Sequence, residues 1–135
     1  MGHLFVAHGD LTRLACDAVL IPCDDEGWVT DAWRSLLPSR LRRKNGPGWF
    51  LLPTPPDADG IVELPDVDER RMRAFASMYW VATDPADVVE RLWHAVDTVS
   101  TDLPARDGRA VPLVGVPLAG TGEGGLAHRR GEVID

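Results

Sequence analysis

Apolar residues along this chain come in short consecutive runs separated by polar, proline- and glycine-rich stretches. Ala18-Val19-Leu20-Ile21 is apolar at every position and is followed by Pro22. A strand buried on both faces has this pattern, so it predicts a central strand that stops at the proline. Residues 4–7, with β-favouring Phe5 and Val6, predict an earlier strand. Residues 49–52 and 61–64 predict two short strands among the turn signals Asn45-Gly46-Pro47-Gly48, Pro53, Pro55, Pro56 and Gly60. Residues 72–83 predict another, packing through Phe75, Met78, Trp80 and Val81.

The helical signals are of a different kind. Asp84-Pro85-Ala86-Asp87 supplies an N-cap, a proline at the first helical position and an acidic first turn. Val88, Leu92, Ala95, Val96 and Val99 then recur at helical spacing as one apolar stripe, and Pro104 and Gly108 close the helix. A shorter helix over residues 31–37 is predicted behind Thr30 as cap, with Trp33 and Leu37 on one face. Residues 110–118 predict a last apolar strand. It runs into Gly120, Thr121, Gly122, Glu123, Gly124 and Gly125, with a helical opening over residues 128–135. Strand, helix, strand and glycine loop in this order predict an α/β sheet, with ligands beyond the carboxyl ends of its strands.

The 135 residues suit one domain, spanning residues 1–135. The opening of a helix at the end of the chain suggests that it is the N-terminal part of something longer, with a covalently linked downstream domain as a partner. No apolar run reaches the length of a membrane helix, and the first ten residues lack the build of a secretory signal. A formal net charge of −7 opposes general binding to nucleic-acid phosphates, although backbone amides can still form a local anion site. Arg40-Leu41-Arg42-Arg43-Lys44 is the one basic run, which can be a solvated face or can meet a nucleic acid or an acidic partner. Cys16 and Cys23 have no histidine at ligand spacing, so no metal and no cofactor is expected. Reduced thiols fit a cytoplasmic location.

Two segments carry candidate chemistry. The glycine loop can gather backbone N–H groups around a phosphate, helped by the N-terminus of a following helix, or it can simply be a turn needing positive φ. No Gly-Lys-Ser/Thr follows it, which excludes a P-loop. Gly9-Asp10-Leu11-Thr12 can offer a carboxylate to an exocyclic amine, or Asp10 can close an Asx turn. Cys23 can act as a nucleophile or pack as a small apolar group. Trp28 and Trp33 can stack on a base or pack in the core. His8 and His128 are the histidines beside these loops.

Together the two segments resemble the macro-domain family. Gly9-Asp10-Leu11-Thr12, then Leu14 and Asp17-Ala18-Val19-Leu20, is similar to that family's opening Gly-Asp-Ile-Thr and Asp-Ala-Ile-Val. Val116-Pro117-Leu118-Ala119-Gly120-Thr121-Gly122-Glu123-Gly124-Gly125 is similar to its later strand and phosphate loop. The resemblance covers the first 25 residues, extends more loosely over residues 76–125, and leaves out the middle.

It implies a three-layer α/β/α mixed sheet and a non-catalytic binding module for ADP-ribose or a related NAD-derived nucleotide. Asp10 would contact adenine, with Leu11 beside it, and Asp24 would lie near the distal ribose. Gly120, Thr121, Gly122, Glu123, Gly124 and Gly125 would wrap the diphosphate. By analogy, an NAD-consuming, sirtuin-like protein would be a fitting host. Members of the family that hydrolyse ADP-ribosyl bonds carry Asn-Ala-Ala-Asn and three glycines after their second strand. This chain has Ile21-Pro22-Cys23-Asp24 and then Asp25-Glu26-Gly27-Trp28. The alternatives are therefore an ADP-ribosyl hydrolase, against which these departures count, and a protein-interaction domain with a degenerate pocket.

Overall fold

The computed structural model describes residues 3, 5–6, 9–24, 26–37, 49–54, 56, 60–64, 73–78, 84–117 and 128. They form an α/β unit around a four-stranded mixed sheet. The strands are β1 (Ala18–Cys23), β4 (Ile61–Leu64), β5 (Arg73–Met78) and β6 (Val114–Gly115), in the order β4-β5-β1-β6. β1 runs parallel to β5 and β6, whereas β4 is antiparallel to β5. β2 (Trp28–Thr30) and β3 (Trp49–Leu51) make a separate antiparallel pair. The helix α1 (Pro85–Thr101) connects β5 to β6.

β1 organises both cores. Its odd positions Val19, Ile21 and Cys23 face Val29, Leu36, Leu37, Phe50, Leu52 and Leu64. Its even positions Ala18 and Leu20 face Ala95, Val99 and Leu103, with Ile61 alongside. Residues 18–21 are all fully buried, as their unbroken apolarity predicts. The α1 stripe lies on the second face as expected, with Val88, Ala95 and Val99 buried and Leu92 and Val96 packed beside them. Its N-terminus is closed by the Asp84 carboxylate, which accepts from the Ala86 N–H (3.0 Å) ahead of Pro85. Among the described residues, the opposite face is covered by β2, β3 and a 3₁₀ helix at Asp31–Leu36.

Four expectations change. Pro22 does not stop β1, which runs on to Cys23. The Ala18 N–H donates toward the β6 side, to the Leu113 carbonyl (3.3 Å). With a period of two, the Pro22 nitrogen faces that same side, where β6 pairs only at Ala18 and Val19 and no donor is needed. Phe5 and Val6 lie outside any strand and are largely exposed, while residues 4 and 7 of the expected strand lie outside the described residues. Residues 31–36 form a 3₁₀ helix whose Thr30 side chain makes no cap bond. Finally, the strand expected over residues 110–118 shrinks to Val114–Gly115, because Pro112 and Pro117 bracket it and cannot donate to a ladder.

Gly115 marks a close approach. A Cβ there would stand 2.7 Å from Leu11 Cδ1 and 2.8 Å from Cys16 Sγ. Leu11 is half-buried and can yield, but Cys16 is buried in the core. Gly115→Ala is expected to destabilise the fold by about 1–3 kcal/mol through overpacking, measurable as a lower urea midpoint at unchanged slope.

Candidate functional site

Asp10 precedes a short 3₁₀ turn, Leu11–Arg13, and caps it. Its Oδ1 accepts from the Thr12 N–H (3.0 Å) and the Thr12 hydroxyl (2.6 Å). Of the two local readings, the Asx turn is thus formed. Leu11 points inward, half-buried against the core and against Gly115. This contact fixes the turn to the sheet.

The two 3₁₀ segments pack against each other and leave an open cleft of about 590 Å³. It is lined by Asp10, Thr12 and Arg13 from the first and by Asp31, Ala32, Arg34 and Ser35 from the second. Its size falls within the range of small-ligand sites. Its charges are unevenly matched. Asp10 is held by Thr12, and Asp31 also has a bonding partner. Arg13 and Arg34 are exposed, and among the described residues neither guanidinium has a hydrogen-bond or ion-pair partner. Two such cations on one cleft stand out in a chain of formal charge −7.

Asp24 directly follows β1 and is outside the residues lining this cleft. Its Oδ1 accepts from the Glu26 N–H (3.1 Å) and the Trp28 N–H (2.8 Å), and the Trp28 indole donates to Glu26 Oε2 (3.0 Å). Gly27 adopts φ 87°, a left-handed conformation that favours glycine and lets the chain turn into β2. The carboxylates of Asp24 and Glu26 therefore bind groups of their own loop. Because β1 and β6 run parallel and in register, Asp24 and the chain leaving β6 emerge at the same end of the sheet. Residues 120–125, the expected phosphate loop, lie outside the described residues, as do His8 and the basic run at 40–44. His128 is exposed.

Cys23 is buried, and desolvation, helped by the Asp24 charge, pushes its thiol up to about 12. It remains protonated at neutral pH and packs in the core, which removes it as a nucleophile. Trp33 packs against the same core cluster.

Sequence reading gave no role to Asp17, which is fully buried and ionic. Its Oδ1 accepts from Arg109 Nη2 (2.7 Å) and its Oδ2 from the Leu113 N–H (2.7 Å). Burial pushes this carboxyl up, but the Leu113 N–H, the Arg109 guanidinium and the backbone at Arg106 outweigh burial and hold it below the usual range. Asp17 thereby ties the start of β1 to the segment leading into β6. Arg13 and Arg34 were also missed as a pair. Nothing in their local sequence distinguishes them from solvated arginines, and only the packing of the two 3₁₀ segments brings them to one cleft.

No protein-family model, curated protein or solved structure matches this chain. Among the described residues, no helix is long and apolar enough to cross a membrane, and no three His, Cys, Asp or Glu side chains are grouped to hold a metal ion.

Proposed function

We propose that this chain binds ADP-ribose or a related NAD-derived nucleotide without chemically altering it, on a three-layer macro-domain architecture. The observation that supports this most is the cleft lined by Asp10 together with Arg13 and Arg34, whose guanidiniums have no partner among the described residues. Asp10 would contact the adenine and Leu11 would back it. Asp24 would lie toward the distal ribose, and Gly120, Thr121, Gly122, Glu123, Gly124 and Gly125 would direct backbone N–H groups at the diphosphate. The protonated, buried Cys23 supports binding rather than covalent catalysis. The two unpaired thiols suit a reducing, cytoplasmic setting.

Calorimetric titration with ADP-ribose, NAD and cyclic ADP-ribose tests the reading, and absence of binding to all three overturns it. Asp10→Ala is expected to weaken ADP-ribose binding by about 1–3 kcal/mol as a buried partner is left unpaired. It also removes the cap of the first 3₁₀ turn, so the melting temperature is to be followed in parallel. Turnover of an O-acyl ADP-ribose by the wild-type chain would favour the hydrolase instead.

A further inference from the structure

We infer that Arg13 and Arg34 form a side-chain clamp for the anionic part of the bound nucleotide. This inference rests on the nucleotide-binding reading above and adds to it a pair of residues and a mode of recognition. Each arginine lines the same cleft, one from each 3₁₀ segment, and each is exposed. One other described guanidinium, that of Arg109, is used structurally. Arg109 bonds Asp17 at 2.7 Å and approaches Asp107 at 3.4 Å. Arg13 and Arg34 stand on a cleft with two carboxylates and pair with neither. Asp10 instead takes both donors of Thr12, and Asp31 is partnered too, so the local negative charge is already engaged.

Two planar cations with no partner among the described residues, one from each segment, match a ligand with adjacent anionic oxygens, because a guanidinium donates in a fixed fork to phosphate. The segments carrying them are held from beneath. Leu11 packs against Gly115, and Leu36 and Leu37 are fully buried in the core next to Phe50. The clamp thus has a fixed base and solvent-facing donors, and the cleft of about 590 Å³ gives room for a nucleotide diphosphate. Recognition by side-chain charge also implies salt dependence, since exposed charges are screened within about 8 Å at physiological ionic strength.

The test is calorimetric titration of ADP-ribose into the whole chain and into Arg13→Gln, Arg34→Gln and the double variant, at low and physiological salt. Neither guanidinium bonds another described residue, so the variants are expected to melt with the wild type. Each single substitution is expected to weaken binding about ten- to a hundredfold, the range of a hydrogen bond to a charged group. The double variant should weaken it further and flatten the salt dependence, and Arg34→Lys should recover part of the loss. If the wild type binds and the variants bind equally well, the clamp is overturned and the nucleotide reading stands. If the wild type does not bind ADP-ribose at either salt concentration, the nucleotide reading falls and the clamp falls with it.

Discussion

Arg109→Met is expected to destabilise the chain by about 3 kcal/mol near neutral pH, a large part of a small domain's stability. The substitution keeps most of the side chain's length but leaves the Asp17 carboxylate fully buried with its cation removed. About a third of the Arg109 side chain is exposed. Solvent screens that part, which places the cost at the low end for a broken buried pair. Asp17→Asn is expected to cost less. The Asn carbonyl can still accept from the Leu113 N–H, and the orphaned guanidinium can turn toward water.

The pH dependence differs between the two proteins. In the wild type the Asp17 carboxyl is held below its ordinary value. Its contribution to stability is therefore complete above the unfolded carboxylate value of about 4 and is lost as pH falls through the folded one. In Arg109→Met the lowering by the guanidinium is gone, so burial is opposed only by the Leu113 and Arg106 backbone bonds and the folded value rises. The penalty is then full at neutral pH and shrinks as acid protonates the carboxyl. Urea unfolding near neutral pH and near pH ~4 should show the gap between the two proteins narrowing in acid. A gap that does not change with pH would mean that Asp17 is not the charge left behind.

Elements whose cause is local were legible in the sequence. The α1 cap and stripe could be read from Asp84, Pro85 and the spacing of Val88 to Val99, and the burial of β1 on both faces from its consecutive apolar residues. The errors arose where a neighbour decides the outcome. Pro22 is harmless because β6 ends before reaching it, which depends on residues far along the chain. Trp28–Thr30 was not read as a strand because a three-residue segment ending in Thr30 has too little period, and its partner is Trp49–Leu51. The same applies to the site. Asp10 could be singled out from Gly9-Asp10-Leu11-Thr12, although its formed bonds are those of a turn. The Asp17–Arg109 pair spans 92 positions, and the sharing of a cleft by Arg13 and Arg34 depends on how two 3₁₀ segments pack. Neither separation has a spacing rule by which sequence could reveal it.

Phe50→Ala is expected to cost about 3–5 kcal/mol. Phe50 is fully buried and among the largest side chains that are. It sits opposite Val29 in the β2–β3 pair and packs in the cluster that includes Val19, Ile21, Leu36 and Leu37. A two-stranded ribbon has marginal stability by itself, so this pair depends on its packing against the odd face of β1. Truncating Phe50 removes contacts there and leaves a cavity. The consequence should reach the cleft, because Leu36 and Leu37 share the cavity wall and close the 3₁₀ helix that carries Asp31 and Arg34.

Val99→Ala, on the α1 face, removes apolar contacts from the other cluster and provides the contrast. Both variants should lower the urea midpoint, Phe50→Ala by more. At temperatures where both remain folded, only Phe50→Ala should also weaken ADP-ribose binding if that ligand occupies the cleft. A loss below ~1 kcal/mol in Phe50→Ala would place it among ordinary surface changes. That result would mean that the β2–β3 pair does not share a core with β1, and the proposed clamp of Arg13 and Arg34 would lose the base on which it rests.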